Sequence, residues 1–324
     1  MRLAILADIH SNLPALEAVL EDAERTGIDG TLIAGDHLTG GPCPVGTIRA
    51  LRALDAHIIR GNTDDRLLAY HTGDVPDAWR TSEQWAGLRW LYGRLDEEAL
   101  GWLACLPEQC VVSLQGTTRI RVVHGTPWST TRHLAPDRSP GSLQLFERAG
   151  ILPAGRDPDR LGDTLSRIDE PVLVCGHSHI PWVQGEKGRL ALNPGSVGAP
   201  VSGDVRAQYA LLTWQDGRWQ VEHRAVPYDL ERARRAYREG GLLEEAGPVA
   251  RAFLLNVETG LAVFGLFVRH VRMLAAEAGA ERDPVVPVEV WEQAISTFDW
   301  AAYEEQRTDP RGTNAREQCY LCHR

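Results

Sequence analysis

The sequence predicts an α/β fold: strands buried between helical layers, continued by a helical C-terminal extension. Three observations carry this. Short apolar runs alternate with helical patterns from Arg2 to Asn62, a βαβαβ rhythm. Five such runs end in Asp, Asn or His, four of them beside Gly, at the strand ends where ligands of open α/β sheets fall. A hairpin signal at Asp216-Gly217 then gives way to a helical pattern from Asp229 to about Gln306.

Taken in order, residues 2–7 are a short apolar strand. Asn12 caps a helix with Pro14 in its first turn; Leu13, Leu16, Leu20 and Ala23 mark one face and Gly27 ends it. Thr31–Ala34 is a second strand, Val45–Leu54 a helix and His57–Ile59 a third strand. Residues 66–106 read as helical and Trp-rich, with Trp79, Trp85, Trp90 and Trp102 as packing residues, of which one or two could line a cleft and stack a base. Arg119–Val123 is a strand feeding His124-Gly125, and residues 127–168 are a long polar excursion over the site. Pro171–Cys175 and Leu190–Leu192 are further strands, and Tyr209–Trp214 with Trp219–Ala225 form the hairpin. The helical stretch beyond is broken at Gly240-Gly241 and at Pro284–Pro287; its apolar faces, among them Phe253, Leu254, Val257, Leu261, Phe264 and Phe267, are expected to pack on the sheet or on another subunit. Two units follow: residues 1–228 as a catalytic domain, and 229–324 as an extension packing on that domain or giving a homo-oligomer.

A chain of 324 residues can bury a large core, and 43% hydrophobic with 24% charged residues is ordinary for a soluble protein. A formal charge of −10 argues against a dedicated nucleic-acid surface, though bound metals would reverse the sign locally for a nucleotide substrate. The longest apolar stretch, Gly260–Val268, is too short to span a bilayer, so no membrane partner is expected. The start reads as a strand entering a site rather than a signal peptide, which points to the cytoplasm. Six dispersed Cys make no disulfide framework. Cys319-Tyr320-Leu321-Cys322-His323 matches a haem-attachment pattern, but an ordinary tail is the favoured reading, with a weak metal or redox pair as the alternative.

The five strand-end motifs are Asp8-Ile9-His10, Gly35-Asp36, Gly61-Asn62-Thr63-Asp64, His124-Gly125 and Gly176-His177-Ser178-His179. Singly, each Asp reads as a helix N-cap and His124 as a packed core residue. Together, carboxylates, imidazoles and an Asn carbonyl suit a pair of borderline divalent ions such as Mn, Fe, Zn, Ni or Co, with Mn favoured. Tight glycine turns let such side chains converge.

In this order the motifs resemble the calcineurin-like metallophosphoesterase superfamily over roughly residues 1–225. The Asp8–Asn12 lead and the Asn193-Pro194-Gly195-Ser196 turn resemble its small bacterial and archaeal phosphodiesterase branch. The stretch after Val226-Pro227-Tyr228 is similar to diadenosine-tetraphosphatase-like members. The resemblance implies a four-layer α/β/β/α sandwich of two mixed sheets. It implies that Asp8, His10 and His179 hold one metal, that Asp36 bridges, and that Asn62, His124 and His177 complete the second site. A hydroxide shared by the two ions would be the nucleophile, with Asn62 and His124 at the catalytic centre. Asp64 would fix a ligand or a neighbouring loop by hydrogen bonding.

One position departs from the pattern. Many superfamily phosphatases carry a phosphate-contacting His after this Asn; here it is Thr63, which cannot donate a proton near neutral pH. General acid catalysis is worth about 10²–10⁴-fold, most of all for poor leaving groups, so the expectation moves from monoesters toward diesters. Asp64, His37 or a bound water are the stand-in acids. Asn12, His37, Thr63 and Asn193 are the expected substrate-side residues, and Arg132 and Arg138 are either solvated or meet a second phosphate. The expected function is metal-dependent hydrolysis of a small phosphodiester or nucleotide-like phosphoanhydride. The rival readings are a phosphomonoesterase with the same site, a nuclease, and a non-catalytic scaffold.

Overall fold

The computed structural model describes residues 1–136, 146, 159–280 and 285–307. Two five-stranded mixed sheets face each other. The first runs β12 (Arg218–Val226), β11 (Ala207–Gln215), β1 (Arg2–Leu6), β2 (Gly30–Ala34), β3 (Ala56–Ile59), and the second β4 (Gln109–Val112), β5 (Ile120–Val123), β8 (Val172–Val174), β10 (Arg189–Asn193), β9 (Trp182–Glu186). In the first, β1 (Arg2–Leu6), β2 (Gly30–Ala34) and β3 (Ala56–Ile59) are parallel, with helices α1 (Leu13–Arg25) and α2 (Pro44–Arg52) as crossovers. The hairpin β11 (Ala207–Gln215) and β12 (Arg218–Val226) adds antiparallel to β1. Its turn is closed by Asp216 and Gly217, both at positive φ (52° and 74°), as a two-residue hairpin loop requires.

Period-two alternation sorts the side chains into layers. Leu3, Ile5, Leu32 and Ala34 point inward, against Val122, Val172 and Val174 of the second sheet. Ala4, Leu6 and Ile33 point outward, against Leu16, Val19 and Ala23 of α1. On the far side, Val123, Leu173, Cys175 and Ala191 pack against Leu161 and Leu165 of α6 (Leu161–Ser166). The order is therefore helix, sheet, sheet, helix, the expected four-layer sandwich.

Four strands have no counterpart in the sequence reading: the sheet edges β4 (Gln109–Val112) and β9 (Trp182–Glu186), and the short pair β6 (Leu134–Ala135) and β7 (Asp159–Arg160). The helix expected from residue 66 begins at Asn62 (α3, Asn62–Thr72), so the Gly61-Asn62-Thr63-Asp64 motif is its entry and first turn. Beyond the hairpin, the helices Leu230–Glu239 and Leu242–Thr259 share one apolar cluster with α3, α4 (Ala86–Tyr92) and α5 (Glu97–Cys105), not with either sheet face. Gly247 (φ 51°, ψ −122°), followed by Pro248, kinks the second of them. The helices Val263–Glu277, Val288–Thr297 and Trp300–Glu304 close a further cluster around Phe267 and Trp291. Arg138, residues 137–145 and 147–158 of the excursion, Pro284 and the Cys319/Cys322 pair lie outside the described residues.

One buried-edge interaction ties α1 to the hairpin. Asp22 accepts hydrogen bonds from the Tyr209 hydroxyl at 2.7 Å and from Arg224 Nε at 2.8 Å. The Arg224 hydrogen bond, aided by Tyr209, holds the Asp22 carboxyl below its ordinary range. A depressed carboxylate pKa stabilises the fold above the unfolded value of about 3.9 and ceases to do so as pH falls through the folded value. Asp22→Asn is expected to cost about 1–2 kcal/mol at pH 7. Urea midpoints of the variant and wild type should converge as pH falls through the folded value. A gap that stays constant over that range would rule out the charge as its source.

Candidate metal centre

The strand-end motifs converge. β1 delivers Asp8 and His10, β2 delivers Asp36, α3 begins with Asn62, β5 (Ile120–Val123) leads to His124, and β8 (Val172–Val174) leads to His177 and His179. Two triads result, Asp8 with His10 and His179, and Asp36 with His124 and His177, each with candidate ligand atoms within 4.8 Å of one another. Asp36 Oδ2 lies 3.9 Å from His10 Nε2 of the first triad and 3.4 Å from His124 Nε2 of its own, so one carboxylate oxygen faces both. Asn62 Oδ1 stands 3.0 Å from His124 Nε2 and extends the second group.

The backbone is strained to achieve this. Of eight non-glycine residues at positive φ among those described, six belong here: Asp8, His10, Ser11, Asp36, His177 and His179. Left-handed backbone is costly for such residues and persists only where surrounding contacts impose it. Those contacts are visible. The N–H groups of Ile9 and His10 both donate to Asp36 O (2.9 and 3.1 Å), locking the first motif onto the second. Gly61 is required because a Cβ there would stand 2.1 Å from Asp36 Oδ1.

Ring orientation is set by carbonyls. Nδ1 of His10, His124 and His179 lies 2.5, 2.7 and 2.6 Å from the carbonyl oxygens of Thr39, Ala34 and Ala199. Donation from Nδ1 leaves the Nε2 lone pair aimed at the centre. His177 is turned the other way: its Nε2 is 3.2 Å from Thr131 O, which leaves Nδ1 for the site. His133 stacks on His177 at 4.2 Å and 15° and fixes its plane.

These residues fit metal ions. Nε2 of His10 and His179 are 3.1 Å apart, with Asp8 Oδ1 3.4 Å from the latter. Two lone pairs facing each other repel unless a cation lies between them; ligands about 2.0–2.1 Å from a common ion stand about 3 Å apart. Charge says the same. Burial, with the Asp36 and Asp64 charges, raises Asp8 well above the carboxylate range. Burial would raise Asp36 too, but neighbouring His124, His10 and His177 hold it well below. His124 is pulled down by burial yet pushed up to about 10 by Asp36 and Asp8. Without a cation the cluster thus keeps a proton on His124 to balance its acids, and a dication there would replace it.

Asp64 is fully buried and accepts three backbone hydrogen bonds, from Asp36 N (2.9 Å), Gly61 N (2.9 Å) and His37 N (3.1 Å). It holds the loops and touches nothing outside, so it is no stand-in acid. Of the expected substrate-side residues, Asn12, His37 and Asn193 are buried and turned to protein partners, while Thr63 sits in the first turn of α3 beside Asp36. His37 turns inward, Nε2 to Ile59 O at 2.9 Å, with its ring near Trp102. Asn12 caps α1 and donates to Gly198 O at 2.9 Å. Asn193 clamps the last motif through Gly176 O and Ser178 Oγ, at 2.6 and 3.1 Å. Thr63 gives its N–H to Asp36 Oδ1 at 2.9 Å, and its buried hydroxyl has no partner. Arg132 is exposed and paired with Asp159. Asn62, His177 and His179 form the more accessible side of the cluster. A cleft of about 300 Å³ opens beside His124, with Thr126, Trp128 and Thr130 on its wall.

Comparison with known proteins places this geometry. A sequence model described as the calcineurin-like phosphoesterase superfamily domain matches residues 1–217. An uncharacterized protein of Methanocaldococcus jannaschii is 28% identical over 246 residues, 71% of this chain and 89% of its own. The crystal structure of a metallophosphoesterase from Sphaerobacter thermophilus is similar at a TM-score of 0.58 and 26% identity, covering 81% of this chain and 100% of that one. A hypothetical protein of Pyrococcus horikoshii shares the fold at a TM-score of 0.58 and 22% identity, covering 77% of this chain and 97% of its own. No described helix is long and apolar enough to cross a membrane.

Proposed function

This chain belongs to the calcineurin-like phosphoesterase superfamily, and from that premise we propose that it is a metal-dependent phosphodiesterase acting on a small, nucleotide-like diester or phosphoanhydride. The observation that carries the reading is the shared Asp36 oxygen facing both triads. Asp8, His10 and His179 would hold one ion, His124, His177 and Asn62 the other, with Asp36 shared; Mn is the favoured metal. When bound, such a pair activates the attacking water and neutralises charge on the transferring phosphoryl group. The chain's own part is to fix the donors. Carbonyls lock each imidazole, Asp64 locks the Asp36 and Asn62 loops, and the buried strand ends keep bulk water from all but one side.

The diester preference rests on Thr63. No side chain able to donate a proton near neutral pH stands at that position, and His37 and Asp64 are sealed off. The cleft beside His124 supports a planar, nucleotide-like group: Trp128 is 47% exposed on its wall, steadied by the Arg167 guanidinium 3.8 Å above the ring.

Paired assays on bis(p-nitrophenyl) phosphate and p-nitrophenyl phosphate with Mn test the proposal. The diester should be the better substrate, and chelation should remove both activities. Thr63→His is expected to raise the monoester-to-diester ratio about tenfold or more. A wild-type preference for the monoester overturns the diester assignment; full activity in chelated protein overturns the hydrolytic centre; fewer than one ion bound under metal-replete conditions points to a scaffold.

A further inference from the structure

We propose that Arg66 is the phosphate-binding cation of the substrate pocket, contacting a phosphate oxygen of the substrate beside Asn62. The proposal rests on reading the cluster as a phosphoester-hydrolysing centre. Arg66 follows Asn62 by one turn of α3. At roughly 100° per residue its side chain leaves the helix in the sector between Asn62 and Thr63. The Asn62 side chain lies against His124, so that sector borders the second ligand group.

Arg66 has no protein acceptor. Among the described residues it makes no hydrogen bond and no ion pair; its contact is with the Trp85 ring, 5.7 Å from the guanidinium carbon. Trp85 is itself stacked on Trp79 at 3.4 Å and 16°. A carboxylate was close at hand, since Asp65 is the next residue, but Asp65 is paired with Arg60 at 2.9 Å. A partly buried guanidinium with its donors unmet is costly unless a ligand meets them. Burial lowers its proton affinity, and the Asp36 charge raises it again, so the two groups sense each other. With the cluster's acids engaged by cations, no carboxylate among the described residues is paired with Arg66, and a phosphate oxygen would supply the missing charge. Guanidinium matches that partner in geometry, and the indole orients it while leaving its edge donors free. It cannot act as an acid, because it does not give up its proton. It binds and orients without protonating a leaving group.

The test uses full-length, Mn-loaded wild type with Arg66→Ala and Arg66→Lys. Calorimetric titration with inorganic phosphate should show affinity falling about 10- to 100-fold in Arg66→Ala, with partial recovery in Arg66→Lys. KM for bis(p-nitrophenyl) phosphate should rise in parallel, with kcat changed less, while two Mn per chain and the melting temperature are retained. Phosphate affinity within about twofold of wild type, or no phosphate binding by wild type, overturns the proposal. So does a loss accompanied by missing Mn or a lower melting temperature that Lys does not repair, because Arg66 would then be structural. If wild type binds phosphate through Arg66 but hydrolyses no ester, the phosphate site stands and the hydrolase reading fails.

Discussion

Asp36→Asn is expected to reduce hydrolysis of bis(p-nitrophenyl) phosphate about 10³-fold or more while leaving the protein folded. The two oxygens of Asp36 do different work. Oδ1 accepts the Thr63 N–H at 2.9 Å, and an amide oxygen can take that place, so α3 keeps its entry. Oδ2 faces His10 and His124 together, and no other acid among the described residues does so. An amide nitrogen there carries no charge and no lone pair for a cation. Two ions held near each other then lose the carboxylate that screens their repulsion, and at least one should be lost. Without metal the fold has little to lose. Asp8, Asp36 and Asp64 are buried together, and the Asp36 charge raises the pKa of both neighbours. Removing it relieves that repulsion and forfeits the attraction to His124, so the metal-free melting temperature should change by no more than about 1 kcal/mol equivalent. Initial rates with Mn, metal content by mass spectrometry and metal-free thermal unfolding check this. Activity within tenfold of wild type at full metal content would remove Asp36 from the centre.

The parts of this molecule legible in its sequence are those where side chains carry the signal. Asp8, His10, Asp36, His124, His177 and His179 announce themselves because strand ends seldom need such residues, and the structure brings them together. The central strands were legible for a related reason: buried on both faces, they read as apolar runs. β4 and β9 were not, because both are edges of the second sheet. In β4 only Val112 is buried, and β9 carries Gly185 with Gln184 turned inward, so neither shows an apolar run. The kink at Gly247-Pro248 had a signal, the Gly-Pro pair, inside an otherwise helical pattern. The carbonyls that orient the imidazoles left none, because any residue at positions 34, 39, 131 or 199 carries the same acceptor. For the same reason Asn12, His37 and Asn193 read as substrate contacts. Sequence shows that a polar side chain sits near a site, and only the backbone's unmet donors and acceptors decide which way it turns.

Asp64 shows the opposite behaviour to Asp36, and the contrast separates support from chemistry. Its carboxylate is the sole acceptor seen for the N–H groups of Asp36 and Gly61, and it takes that of His37 as well. Asp64→Ala strands three buried donors, each costing about 1–3 kcal/mol, against a total stability of about 5–15 kcal/mol for an ordinary domain. That variant should be recovered poorly, or melt far below wild type. Asp64→Asn is gentler. The amide oxygen can keep the donors that share Oδ2, but its NH₂ then abuts the His37 N–H, which loses its acceptor. The expected cost is about 1–3 kcal/mol, measured by urea unfolding of the metal-free protein. Because those N–H groups fix the Asp36 turn and the entry to α3, Mn affinity should fall about 10- to 100-fold, with residual activity recoverable at high Mn. Asp36→Asn, by contrast, should lose activity that no Mn concentration restores while keeping its metal-free stability. Should Asp64→Asn instead unfold at the wild-type urea concentration and bind Mn normally, the three hydrogen bonds would not be what holds the metal-bearing loops in their strained backbone.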